Sequence, residues 1–319
     1  MIPLLDVFRA RKRIAPYVRR TPLVASAWLS EAANAEVRLK LESLQVTSSF
    51  KSRGAFNAVI ARLERVDGAP RSLVTASAGN HGRALAEAAS AFHLRLTVFT
   101  PRDAPYTKLA AIRRLGAELR AEARNYDEAE RLAQAYARDS EAEFISGYSD
   151  LDVITGAATI GLEILEDAPG VAMIVIPVGG GGLTSGVASA MRAIDPNIDV
   201  VGVEVEASCA FQTSLRAGRL VPIVPGPTLA DGLAGNPDPD TITWNYIRRL
   251  VTRIVTVTED DLRQAIAGLA GHEHIIAEGA GAAGVAALMG GQAGARGRRV
   301  AAIVSGANID PATLASVID

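Results

Sequence analysis

One cysteine in 319 residues, Cys209, has nothing to pair with inside the chain, so an internal disulfide framework is excluded. A single thiol fits a reducing compartment, and cysteine's burial habits make it a packed side chain rather than a nucleophile. No apolar run approaches the roughly 20 residues that a membrane-spanning helix needs. No charge of one sign dominates either: 33 basic and 35 acidic side chains, interspersed, leave a formal net charge of −2. That balance argues against nucleic acid or an anionic membrane as a partner. Internal repeats and low-complexity linkers are missing, so composition marks no domain boundary. The N-terminus carries Arg9, Arg11, Lys12, Arg13, Arg19 and Arg20 but lacks the apolar core of a signal peptide. It reads as an amphipathic helix of the mature protein.

What the chain does have is alternation. Short β-branched runs at 37–41, 72–75, 96–100, 173–178, 200–205, 254–257 and 300–304 read as strands. Ala-rich helical runs at 50–63, 106–115, 127–138 and 160–167 lie between them. This order predicts an α/β fold, a parallel sheet with helices on both faces. The length allows one large or two moderate domains.

Four segments carry chemistry. In Ser49-Phe50-Lys51-Ser52-Arg53, a lysine stands at the mouth of a helix. The helix dipole, Arg53 and partial burial would each disfavour its ammonium, and only a neutral amine attacks an aldehyde. In Pro177-Val178-Gly179-Gly180-Gly181-Gly182-Leu183, four glycines between a strand and a helix leave backbone N–H groups open as a phosphate cradle. The loop is no Walker A, since no Gly-Lys-Ser/Thr closes it. In Thr75-Ala76-Ser77-Ala78-Gly79-Asn80-His81-Gly82, Ser77, Asn80 and free N–H groups can bind a carboxylate or a phenolic oxygen. In Val304-Ser305-Gly306-Ala307-Asn308, the serine offers a neutral hydrogen bond at the carboxyl edge of a strand.

In order and spacing these segments resemble the fold type II (tryptophan synthase β-like) pyridoxal-phosphate enzymes, in the branch of threonine/serine dehydratases and serine racemases. The resemblance runs from about Asp6 to Asp310 and includes Thr21-Pro22-Leu23, Lys40-Leu41-Glu42 and Thr256-Val257-Thr258-Glu259. It implies two parallel-sheet αβα domains with pyridoxal 5'-phosphate in the cleft between them. A small mobile domain, 70–149, would be inserted into a large cofactor-binding domain made of 1–69 and 150–319. Carried over by position, Lys51 is the catalytic Schiff-base lysine and Phe50 packs on the cofactor ring. Asn80 bonds the ring's 3-hydroxyl. Gly179, Gly180, Gly181, Gly182 and Leu183 hold the phosphate, and Ser305 faces the pyridine nitrogen. Ser77, Ala78, Gly79 and His81 are the expected substrate contacts.

The implied activity is that of a dehydratase, an ammonia-lyase. It would remove water from an L-β-hydroxy amino acid, L-threonine or L-serine, to give a 2-oxo acid and ammonia. Hydroxyaspartate or a hydroxyectoine-derived compound are other substrates that the resemblance allows, and serine racemase is another activity. Racemisation needs an acid/base opposite Lys51; serine racemases have a serine there, where this chain has Ala78. The loops of β-replacement synthases resemble Ser-Gly-Asn-Thr and Gly-Thr-Gly-Gly, which this chain does not follow, and intact Lys51, Asn80 and Ser305 speak against a non-enzymatic ligand sensor. A cytoplasmic homodimer acting on a small amino acid, away from nucleic acid and membrane, is expected.

Other features point elsewhere or limit the substrate assignment. Gly279-Ala280-Gly281-Ala282-Ala283-Gly284 has dinucleotide spacing, but the residues before it read helical and no acidic residue follows at ribose distance. His272 and His274 read as a surface pair on a helix rather than a zinc site. No metal is expected: Glu204 and the Ser208 carbonyl match two positions of a cation site known in relatives, but Ala210 replaces its aspartate. Ala157-Ala158 stand for a usual Gln-Gly, Tyr148 for a smaller polar residue, and 229–236 follows the family only through Ala230-Asp231-Gly232.

Overall fold

The runs rich in valine and isoleucine become strands buried between helices. The structure, a computed structural model, describes residues 1–65, 68, 70, 72–104 and 106–318. Its strands are β1 (Leu23–Ala25), β2 (Glu36–Leu41), β3 (Ser72–Ala76), β4 (Arg95–Pro101), β5 (Glu118–Ala123), β6 (Ala142–Phe144), β7 (Met173–Pro177), β8 (Asp199–Val205), β9 (Arg253–Val257) and β10 (Arg299–Val304). They form two sheets. The larger, ordered β1-β2-β10-β7-β8-β9, is parallel except for the edge strand β1. The smaller, ordered β5-β4-β3-β6, is parallel throughout. The strands of the smaller sheet all fall within 70–149, and those of the larger all fall outside it. The expected break at residue 69 lies outside the described residues.

Alternate residues of the larger sheet serve its two faces. Val175, Val201 and Val203 pack on Leu269 and Ala286 of the helices Glu259–His272 and Gly279–Met289. Ile174, Ile176 and Ile303 face the other way, onto Ile160, Val187 and Met191 of the helices Leu151–Asp167 and Gly182–Ile194. Full burial on both sides explains why β7 is a continuous apolar run and why β8 is apolar apart from Asp199 and Glu204. Among the described residues no helix is long and apolar enough to cross a membrane.

Three sequence expectations change. The helix expected from residue 160 begins at Leu151, where Asp150 caps it by accepting from the N–H groups of Asp152 and Val153. Its Gly156 lies so close to the helix Lys51–Leu63 that a Cβ would stand 2.4 Å from the Arg53 carbonyl oxygen. The residues before Gly279 are irregular rather than helical, and the dinucleotide-like motif lies inside the helix Gly279–Met289. Its glycines serve packing: a Cβ at Gly281 would stand 2.3 Å from the Gly306 carbonyl oxygen. His272 ends its helix stacked on Trp28, with centroids 4.9 Å apart, while His274 has left the helix with φ of 56°. The two histidines therefore do not form a helical surface pair.

Both sheets reverse their direction of growth, which prepares the site. From β7 the chain builds outward through β8 and β9, then returns to the other flank of β7 with β10. From β3 it builds outward through β4 and β5, then returns to the other flank of β3 with β6. Such a reversal opens a crevice at the carboxyl ends of the two inner strands. The segments leaving those four strands carry residues 179–182, Ser305, residues 77–81 and Gly147-Tyr148.

Candidate active site

The turn that delivers Lys51 is tied to the end of β10. The Phe50 N–H donates to the Ser305 carbonyl at 3.0 Å, and the Ala307 N–H donates to the Ser48 carbonyl at 2.9 Å. Ser48 holds a left-handed φ of 57°, a strained turn of the kind found at functional sites. Lys51 is the first residue of its helix. Its amine donates to the Gly147 carbonyl at 2.5 Å and lies 5.1 Å over the Phe50 ring. Burial pushes its pKa down to about 8, against a smaller upward pull from Glu278. Arg53 does not contribute as the sequence suggested. It is buried and held by two carboxylates, Glu42 and Glu163, beneath the helix.

The glycine loop is required by its surroundings. A Cβ on Gly179 would stand 2.8 Å from the Gly232 carbonyl oxygen, one on Gly180 2.3 Å from the Tyr148 ring, and one on Gly182 2.9 Å from the Tyr148 Cα. Gly181 holds φ of 84°, and its Cβ would stand 2.7 Å from Ile247. The helix Gly182–Ile194 begins here with no side chain capping it, so its first N–H groups are free for an anion.

Across the cleft, the loop after β3 presents Ser77, Ala78 and Gly79, and the helix Asn80–Ala91 that follows begins with Asn80 and His81. The Ser77 hydroxyl accepts from the Gly79 N–H at 3.1 Å. His81 is buried and its Nε2 donates to the Ile145 carbonyl at 3.2 Å, leaving Nδ1 as an acceptor without a partner. Burial, with Lys51 nearby, lowers its pKa to about 3, so the ring is neutral at ordinary pH. The Asn80 amide donates to Glu278 Oε1 at 2.6 Å and accepts from Asn308 at 2.7 Å. Ser305 is buried, and its hydroxyl makes only a long 3.4 Å bond to the Ala280 carbonyl. It remains free to turn toward a ring nitrogen.

All the residues singled out from the sequence as site residues line one cavity of about 420 Å³. The structure adds Glu278, Lys108, Asp231, Gly147, Tyr126 and residues 232–236 to its wall. Asp231 and Tyr148 stood out only as family-pattern residues. The signal for Glu278 was its place just before the Gly-Ala-Gly run. Glu204 lies elsewhere: its two oxygens accept from the N–H groups of Phe211 and Gln212, at 2.8 Å each, and cap the helix Ala210–Ala217.

The cavity fits a phosphorylated pyridine aldehyde. It brings together an amine of lowered pKa, a glycine cradle at an uncapped helix end, an oriented amide and a neutral hydroxyl. A family model described as "Pyridoxal-phosphate dependent enzyme" matches residues 14–306. The "L-threonine ammonia-lyase" of Thermotoga maritima is 42% identical over 310 residues, 97% of this chain and 76% of that protein. A Geobacter sulfurreducens protein of the same description is 36% identical, covering 100% of this chain and 79% of its own length. Among solved structures, maize serine racemase superposes with a TM-score of 0.91 at 30% identity, covering 98% of this chain and 95% of that one. A threonine deaminase from T.th. gives 0.87 at 36%, covering 96% and 98%. With its fold, its cavity and its matched length in agreement, the chain belongs to the pyridoxal-phosphate dependent enzymes of fold type II, and pyridoxal 5'-phosphate is its cofactor.

Proposed function

We propose that this protein is an ammonia-lyase that removes water from L-threonine or L-serine, giving 2-oxobutanoate or pyruvate and ammonia. One observation carries the reading: the Lys51 amine, with its lowered pKa, opens on the same cavity as the bare helix end behind 179–182. Relatives described as threonine ammonia-lyases, matched over nearly the whole chain, support it.

When bound, the cofactor supplies the electron sink for a carbanion at the substrate's α-carbon. Lys51 would hold the cofactor covalently at rest. Its Nζ, once free, would serve as the general base for the substrate's α-proton. The free N–H groups at 182–184 and the glycine backbone would hold the phosphate. Phe50 would pack on the ring, and Asn80 would donate to the ring oxygen. Ser77, Ala78, Gly79 and His81 border the substrate's carboxylate. Ser305 would offer the ring nitrogen a hydrogen bond without a formal charge, which would suit elimination of the β-hydroxyl. The enamine product hydrolyses in water to the 2-oxo acid and ammonia. We further propose that 70–149 moves as a body against 1–69 and 150–319, and that the protein is a cytoplasmic homodimer, which light scattering of the purified protein would read.

The likeness to maize serine racemase favours racemisation as a second reading, yet the side chain of Ala78 can neither give nor take a proton. Purified protein given L-threonine, L-serine and hydroxyaspartate, with ammonia, 2-oxo acid and chiral products measured, decides between them. Ammonia and 2-oxo acid from threonine or serine with little D-amino acid is the expected result. D-product at a comparable rate, or no ammonia from any of these, would overturn the reading.

A further inference from the structure

We infer that Glu278 is a positioning residue of this site: through its bond to Asn80 it fixes which way the Asn80 amide faces the cofactor, and it sets the charge that Lys51 experiences. This rests on the functional reading above. Glu278 is 5% exposed and immediately precedes the helix Gly279–Met289. Its backbone N–H donates to the Gly306 carbonyl at 3.1 Å, and its own carbonyl accepts from the Ala282 N–H at 2.9 Å. The side chain has no freedom to wander, and the chain makes room for it. A Cβ on Gly306 would stand 2.1 Å from Glu278 Oε1.

An amide is ambiguous in direction, with two N–H donors on one side and two lone pairs on the other. Here the ambiguity is removed from both sides. One Asn80 N–H goes to Glu278 at 2.6 Å, and the Asn80 oxygen accepts from Asn308 at 2.7 Å. Asn308 is itself fixed, since it donates to the Thr47 carbonyl at 2.9 Å and accepts from Arg83 at 2.6 Å. Flipping Asn80 would set donor against donor and acceptor against acceptor. Its second N–H is thereby committed to the cavity. A donor held there suits the phenolic oxygen of the cofactor and does not suit a hydrogen-bond donor in its place.

The charge follows from the neighbours. Asn80 faces Glu278 from the helix Asn80–Ala91, Lys108 from the helix Tyr106–Arg114, Asp231 from the loop beside Gly232, and the Asn308 N–H from the chain after β10. Lys51 stands across the cavity and feels Glu278 as a supporting charge. Burial, and then Asp231, raise the Glu278 pKa to about 7 against Asn80, Lys108 and the Asn308 N–H. Glu278 therefore changes charge in the neutral range, where its ionised form favours positive charge on the Lys51 nitrogen.

The test compares the wild-type holoenzyme with E278Q and E278D. Glutamine keeps an acceptor for Asn80 but cannot ionise; aspartate keeps the charge but cannot reach. Two quantities are read between pH 5.5 and 10: the absorbance of the lysine-linked cofactor and kcat/KM for L-threonine. Cofactor affinity of the apo-protein is titrated alongside. Expected in E278Q are loss of the inflection near pH 7 from both profiles and a shift of the lysine-linked inflection to lower pH. E278D should keep the neutral inflection and bind cofactor about tenfold more weakly, about 1.4 kcal/mol. Profiles of E278Q that track the wild type, or unchanged affinity in E278D, would overturn the inference alone. A wild-type protein that never forms a lysine-linked absorbance would overturn the functional reading and the inference with it.

Discussion

Lys40 and Lys51 sit on either side of one turn and have opposite surroundings. Lys40 is fully buried and donates at 2.6 Å both to Glu163 and to the Thr21 carbonyl. Arg53 completes the cluster, bonding Glu42 and Glu163 in bidentate fashion, so two cations meet two carboxylates with almost no water. Lys51 lies two residues before Arg53 and receives only a carbonyl oxygen; among the described residues no carboxylate bonds its amine. The difference teaches what burial does to a cation. Buried with partners, it fixes the helix on the sheet; buried without one, it loses its proton more readily and becomes reactive.

The sharpest break of that contrast is Lys51→Ala. Turnover should vanish, and with it the covalent attachment of the cofactor, while the fold survives because the cluster below is untouched. Borohydride reduction of the wild type followed by peptide mapping should find the cofactor on Lys51. A label on Lys40 or Lys108 would reverse the assignment. The opposite experiment is Glu163→Leu, which strands Lys40 and half of Arg53 in the interior. Removing one partner of a buried ionic pair costs about 3–5 kcal/mol, and denaturant unfolding should show a loss of that size. A loss below about 1 kcal/mol would mean that the cluster does not hold the helix in place.

Gly181→Asp moves the comparison to the anion side of the cavity. The residue holds φ of 84°, its Cβ would stand 2.7 Å from Ile247, and the new carboxylate would repel the phosphate. Cofactor affinity should fall tenfold or more, about 1.4 kcal/mol per decade. Unchanged affinity in a titration of the apo-protein would put the phosphate elsewhere.

These groups differ in how visible they are in the chain itself. Strands β7, β8 and β10 show plainly because parallel strands covered on both faces are mostly apolar, with only Asp199 and Glu204 in β8 and Arg299 at the start of β10 as exceptions. β5 escapes because Glu118, Arg120 and Glu122 make a polar, largely exposed edge strand. β1 and β6 escape because three residues are too few for any period. Within the site, the glycine loop and Lys51 are legible, since their chemistry lies in one short stretch. Glu278 is not: its bond to Asn80 spans 198 positions, and only the meeting of the two sheets creates it. Arg53 shows the converse error, where nearness in sequence suggested a field at Lys51 that Glu42 and Glu163 cancel.

The smallest change tests whether the cavity holds a second proton carrier. Lys51 is one in the proposed mechanism; inverting the α-carbon needs another on the opposite face, as the serine in that position of serine racemases suggests. Three residues after β3 come into question: Ser77, which the resemblance aligns with a different residue of the motif and whose hydroxyl accepts from the Gly79 N–H, Ala78 and His81. The Ala78 side chain has no transferable proton, and His81, with a pKa lowered to about 3, cannot hold a proton on its free Nδ1 near neutrality. The wild type should therefore make 2-oxo acid with little D-amino acid. Ala78→Ser introduces a hydroxyl where the cavity wall has room, since Ala78 lines the cavity and is not fully buried. It should gain slow formation of D-serine from L-serine while keeping most of its elimination rate. Chiral chromatography reads this directly. D-serine from the wild type at a rate comparable to pyruvate would reveal a proton carrier other than Lys51, whereas Ala78→Ser without any D-serine would mean that position 78 does not face the α-carbon.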